Sequence, residues 1–101
     1  MIKITLVNGG SEATLYLAGR IDADSAREMQ EHLLEAAERF DKIVLDFEKV
    51  PYISSAGLRV LRLVQRSMEK KAGSLVIRNV RKDVMDVFNL TGFGLLLDFE
   101  E

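Results

Sequence analysis

Apolar and polar positions along the chain alternate first with the short period of a strand and then with the longer period of a helix, and turn residues separate the segments. Ile2, Ile4 and Leu6 alternate with Lys3, Thr5 and Val7, which predicts a half-buried strand. Asn8-Gly9-Gly10-Ser11 is a turn signal, and residues 13–18 supply the returning strand of a hairpin. Gly19 ends that strand. Ser25-Ala26-Arg27-Glu28 fits a capping box, with Ser25 as the N-cap and Glu28 three residues later. Ala26, Met29, Leu33, Ala36, Ala37 and Phe40 then recur at helical spacing as one buried stripe, while Arg27, Glu28, Glu31, Glu35 and Glu38 take the other faces.

Residues 43–47 form a short apolar run, suited to a strand in the middle of a sheet. A second helix is expected from about residue 55 to 71, ending near Gly73, with Leu61, Val64, Met68 and Ala72 on its apolar face. Residues 74–78 read as a fourth strand. Val84, Val87, Phe88 and Leu90 mark a shorter helix that stops at Gly92, and residues 95–99 are available for a final strand. Strands alternating with helices predict an α/β domain with right-handed crossovers. The hairpin makes its sheet mixed, with four to five strands and three packed helices. No repeat, linker or low-complexity segment interrupts the 101 residues, so a single domain spanning 1–101 is expected.

Composition narrows the class. Apolar residues make up 48% and charged residues 30%, a balance typical of a soluble globular chain rather than a disordered one. The net charge of -2 gives no bulk attraction for nucleic acid, so no direct nucleic-acid partner is expected. The absence of cysteine excludes disulfide and thiol chemistry and is compatible with a reducing cytoplasm. No apolar run approaches the ~20 residues needed to cross a bilayer, so no membrane insertion is expected. Met1-Ile2-Lys3-Ile4-Thr5 reads as a strand rather than as a signal peptide.

The candidate chemistry gathers in the stretch from Val50 to Leu61, where a strand, a short turn and a helix meet at Ser54-Ser55-Ala56-Gly57. A serine at a helix start caps unpaired backbone N–H groups. A phosphoserine there gains from the same groups and from the positive end of the helix dipole, so one position can be a cap, a charge switch or both. At about 100° per residue, Ser54 and Leu58 fall near the edge of the apolar face, whereas Ser55 falls with Arg59, Arg62 and Arg66. Ser55 is therefore the expected phosphoacceptor, with Ser54 as the alternative. Arg59, Arg62, Arg66 and Lys70 read either as a solvated helix face or as a docking surface for an acidic partner, and Arg59 can also pair with a phosphate on Ser55. Asp22 and Asp24 stand where the second strand turns into a helix. They read as a turn or secondary cap, and topology places them on the same sheet end as Ser55. Asp46 is the one further acid expected near them, and no metal-ligand set emerges. His32, the only histidine, falls on a polar helix face with neither a triad nor a zinc site around it. Gly9-Gly10 and Gly92-Phe93-Gly94 lack the context of a phosphate-binding loop, so no cofactor is expected.

These elements resemble the STAS domain of the anti-sigma-factor antagonists. In that family a hydrophobic strand, a tight loop and a Ser-Ser-Ala-Gly-Leu element present a phosphorylatable serine at a helix start, as Ile53-Ser54-Ser55-Ala56-Gly57-Leu58 does here. Gly19-Arg20-Ile21-Asp22 is similar to the family's element before the first long helix, and Leu90-Thr91-Gly92-Phe93 to its late Thr-Gly turn. One departure is Ala56, which removes the family's alternative hydroxyl just before the glycine. The resemblance implies a binding module rather than an enzyme. Unphosphorylated, it would bind an anti-sigma factor that is also an ATP-dependent serine kinase. Phosphorylation would release it, and a serine phosphatase would reset it. Asp22, Asp24, Ser54, Ser55, Gly57, Arg59 and Arg62 would form the partner-binding surface, with Asp22 contributing to kinase recognition. The other reading that the resemblance allows is a non-phosphorylated STAS subunit of a lipid-transport or larger signalling complex.

Overall fold

The computed structural model describes residues 2–100. Nine elements follow in order: β1 (Lys3–Gly9), β2 (Glu12–Ala18), α1 (Ala23–Arg39), β3 (Lys42–Lys49), α2 (Ser55–Lys70), β4 (Ser74–Arg78), α3 (Lys82–Leu90), α4 (Phe93–Leu96) and β5 (Asp98–Phe99). The five strands lie in one sheet in sequence order, β1 antiparallel to β2 and each later pair parallel. The α/β class, the mixed sheet and the hairpin follow the hydrophobic pattern. The hairpin closes at Gly9↔Glu12 around Gly10-Ser11, with Gly10 at φ +65, a conformation glycine takes without a steric penalty.

The helices cover one face of the sheet. Leu15 and Leu17 of β2, Ile43, Leu45 and Phe47 of β3 and Ile77 of β4 are fully buried together with Met29 and Leu33 of α1 and Leu61, Val64 and Met68 of α2. All six residues of the expected α1 stripe are buried. Phe88 of α3 packs against Phe47 with ring centroids 6.1 Å apart and edge-on against Phe99 at 5.1 Å, which holds α3 and β5 to the sheet. Side chains of opposite parity, among them Thr14, Tyr16, Val44, Asp46, Val76 and Arg78, lie on the face that carries no helix.

Several local expectations are corrected. Asp22, not Ser25, is the N-cap of α1. The chain stays extended through Ile21, so the helix begins as soon as it leaves the sheet. Ser25 falls at the third helical position, where its Oγ accepts from Asp22 N–H at 2.9 Å while Asp22 Oδ1 accepts from Ser25 N–H at 2.9 Å. The box is present with its two roles exchanged. Residues 95–99 do not make one strand. Gly92, at φ +85, ends α3 and turns the chain into the single turn of α4, a fourth helix, before Asp98 and Phe99 pair with Val76 and Ile77.

Ala72 is exposed rather than part of the apolar face of α2, because the helix has already ended at Lys70. Its φ of +60 and the bonds Gly73 N–H to Met68 O (2.8 Å) and Ala72 N–H to Glu69 O (3.1 Å) complete a Schellman motif with alanine in the left-handed position. Gly73 is needed for another reason: a β-carbon there would lie 2.6 Å from Asp41 O. Ala72→Gly is expected to raise stability by about 1 kcal/mol by relieving the left-handed alanine, measurable as a shift of the urea midpoint at constant slope.

Candidate functional site

Strands β2 and β3 run parallel and release the chain at the same end of the sheet. Beyond them the two exit loops stay paired. Ile21 bridges Ile53 in parallel fashion, Ile21 N–H donates to Tyr52 O at 2.9 Å, and Ser54 N–H donates to Ile21 O at 2.8 Å. This bridge sets the start of α1 beside the start of α2, with Asp22 and Ser54 as the two N-caps. Asp22, Asp24, Ser54 and Ser55 are thus brought to one end of the sheet, as topology predicts.

The two serines differ in what their position leaves free. Ser54 is half-buried, and its Oγ accepts from Gly57 N–H at 3.3 Å. Ser55 is the first residue of α2 and is exposed. The capping work therefore falls to Ser54, and Ser55 stands at the positive end of a helix whose first turn holds no acidic residue. Gly57 lies beneath this surface. A β-carbon there would come within 2.6 Å of Ile21 Cγ2 and 2.8 Å of Ile53 Cγ1. It lets α2 sit against the Ile21–Ile53 bridge and so shapes the surface from below.

The basic side chains separate into two groups. Arg59 is exposed one turn after Ser55 and, with Arg27, Gln30 and Leu63, lines a shallow groove of about 400 Å³ between α1 and α2. Arg62 is half-buried instead. Its Nη1 donates to Gln65 Oε1 at 2.6 Å, and Gln65 Nε2 donates to Leu96 O at 2.6 Å, so this pair ties α4 to α2. Arg66 and Lys70 remain exposed. Sequence reasoning missed Arg27, which reaches the groove from α1, and Arg20, whose guanidinium lies 4.2 Å from the Tyr52 ring centroid. Neither has a local signal, because both contacts join segments far apart in sequence.

The acidic residues separate too. The backbone N–H and then the hydroxyl of Ser25 hold the Asp22 carboxyl below its ordinary value of 3.8, so it is a carboxylate engaged in capping. Asp24 is exposed in the first turn of α1. Asp46 does not join them. It lies in mid-β3 on the helix-free face, committed to Arg78, Asn79 and the Glu48 N–H. Among the described residues no three His, Cys, Asp or Glu side chains come together as a metal site. Asp22→Ala is expected to lower the denaturation midpoint and Asp22→Asn to keep most of it, since asparagine also caps well. Chemical denaturation of the two variants separates this capping from any direct role of the carboxylate in partner recognition, which would be lost in both.

A family model described as Mlab, STAS domain, matches residues 4–98. A protein of Bordetella bronchiseptica named as an anti-sigma factor antagonist, BtrV, is 33% identical over 93 residues, covering 91% of this chain and 80% of that protein. The anti-sigma-B factor antagonist of Bacillus subtilis is 27% identical over 97 residues, covering 96% of this chain and 89% of its own length. Among solved structures, the anti-sigma factor antagonist SpoIIAA superimposes in its unphosphorylated form with a TM-score of 0.77, at 19% identity, covering 98% of this chain and 88% of that one. The Bacillus protein in its phosphorylated form gives 0.75 at 19% identity, covering 98% and 92%. Those two likenesses show the fold. The family match and the curated relatives show more: the chain belongs to the STAS-domain family of anti-sigma-factor antagonists.

Proposed function

We propose that this protein is a partner-switching regulator that binds an anti-sigma factor when unphosphorylated and is released when Ser55 is phosphorylated. The observation that carries the reading is the division of labour at the start of α2, where Ser54 caps the helix and Ser55 is left exposed beside Arg59. A phosphate on Ser55 meets the N-terminus of α2 and the Arg59 side chain one turn away, so the modified form is well accommodated. It also adds about -1.5 to -2 charge to a surface that already carries Asp22 and Asp24, and a partner docked there is repelled without any refolding of the domain. Arg59, Arg27 and the groove between α1 and α2 supply the remaining contacts for an acidic partner surface.

In this scheme the protein is a substrate and a binding module, not an enzyme. The anti-sigma factor is the ATP-dependent kinase, a serine phosphatase resets the switch, and the cycle runs in the cytoplasm and controls sigma-factor-dependent transcription without direct nucleic-acid contact. No helix among the described residues is long and apolar enough to cross a membrane. Incubation with the cognate kinase and ATP should add one phosphate by intact mass, abolished by Ser55→Ala and retained in Ser54→Ala. Label that survives Ser55→Ala but not Ser54→Ala would move the site to Ser54. Absence of label in all forms would favour a STAS subunit that works without phosphorylation.

A further inference from the structure

The two edges of the sheet are built differently. β5 is two residues long, carries Asp98 and is followed by Glu100, so its edge is short and acidic. β1 is seven residues long, pairs with β2 in one unbroken register, contains no proline and carries one charge, Lys3, at its first position. Leu6 and Val7, at 37% and 56% exposure, stand near its centre. This edge lacks the usual devices that prevent strand pairing.

Its free hydrogen-bonding groups can be assigned. Gly19 N–H donates to Lys49 O, on the β3 side of β2. By alternation the odd-numbered residues of β2 turn their backbone groups to β3, and Glu12, Thr14, Tyr16 and Ala18 turn theirs to β1. Their partners Gly9, Val7, Thr5 and Lys3 bond inward. The N–H and C=O groups of Ile4, Leu6 and Asn8 therefore point away from the sheet.

We propose that β1 pairs antiparallel with β1 of a second copy of this chain, about a two-fold axis at Leu6. In that register Leu6 faces Leu6 and Ile4 faces Asn8, so every outward N–H and C=O of the three residues finds a partner. A shift of one residue sets outward-pointing groups against inward-pointing ones and loses the ladder. The same register places Lys3 opposite Gly9, which separates the two lysines, and sets Thr5 against Val7 on the helix-free face. The edge is thus complementary to itself in hydrogen bonding, charge and apolar contact, as an isologous interface requires. The product is one continuous ten-stranded sheet, five strands from each copy. β2 separates β1 from β3, so the loop before α2 stays uncovered and the inference does not depend on Ser55. The paired edges are smaller than a standard interface, so association is expected at roughly 100 µM rather than at nanomolar concentration.

Sedimentation velocity of the full chain from about 10 µM to about 1 mM should show a monomer passing to a dimer. Over the same range, amide exchange should slow at Ile4, Leu6 and Asn8 and stay unchanged at Thr5 and Val7. Leu6→Lys, which sets two lysines opposite each other, should weaken the dimer at least tenfold. Leu6→Pro removes only an outward N–H and should do the same while leaving the β1–β2 ladder in place. Thermal unfolding checks that each variant is folded. A monomer at every concentration overturns the proposal, and so does a dimer that Leu6→Lys leaves intact.

Discussion

Ser55→Asp is expected to bind the anti-sigma partner at least tenfold more weakly than wild type, and the phosphorylated protein about a hundredfold more weakly, a difference of about 2.7 kcal/mol at 25 °C. The loss should come from the charge at the docking surface and not from damage to the fold. α2 has no acid in its first turn, and an acidic residue at the first helical position interacts favourably with the helix dipole. The variant should therefore unfold at the same denaturant concentration as wild type or slightly higher, by about 0.3–1 kcal/mol. Titration calorimetry of wild type, Ser55→Asp and the phosphoprotein against one partner preparation tests the first point, and urea unfolding tests the second. Equal affinity across the three forms would remove the switch mechanism. Weaker binding accompanied by lower stability would trace the loss to misfolding.

The largest stability effect is expected away from that surface, at Asp46. This carboxylate is 5% exposed on the helix-free face, where Oδ2 accepts from Arg78 Nε at 3.0 Å and from Asn79 Nδ2 at 2.8 Å, and Oδ1 accepts from Glu48 N–H at 3.0 Å. Arg78 Nη2 continues the network to Tyr16 Oη at 3.1 Å. Asp46→Ala removes an acceptor of three hydrogen bonds. The cost should be about 2–3 kcal/mol, below that of breaking a fully buried pair, because the Arg78 side chain keeps 28% of its exposure. Burial by itself pushes the Asp46 carboxyl up, but the Glu48 N–H, Arg78 and Asn79 together outweigh it and hold the group below its ordinary 3.8. With the folded-state value below the unfolded one, the native state binds fewer protons. The stabilisation is complete above the ordinary carboxylate value and is lost as pH falls through the depressed one. Wild type should therefore lose more stability between about pH 5 and pH 2 than Asp46→Ala does. Parallel acid limbs would show that Asp46 is not ionised and paired as the geometry requires.

Much of the candidate site's local geometry is legible in the sequence because it depends on near neighbours. The choice of Ser55 over Ser54 rests on one turn of helix geometry, and the exposure of the two residues follows that phase. For Gly57 the resemblance implies only a place in the contact surface. Only the packed positions of Ile21 and Ile53 show that it is there to admit them. Helical spacing groups Arg62 with Arg59, but the partner that draws it aside, Gln65, is itself held by Leu96 O from another element. Asp46, the one further acid expected near Asp22 and Asp24, lies elsewhere. Strand alternation sends its side chain to the other face.

The sequence by itself determined the order of the strands and of the first three helices, the hairpin and the apolar stripe of α1, together with a serine-bearing helix start. Each depends on residues a few positions apart, whose periodicity and turn chemistry act before the chain folds on itself. The tertiary structure decided where α1 begins, which arginines stay free, and that one long strand edge is left unpaired. Those outcomes depend on the Ile21–Ile53 bridge, on the single covered face of the sheet, and on pairings between segments tens of residues apart. Local preference cannot specify them, because the groups that compete for each cap and each hydrogen bond meet only in the folded chain.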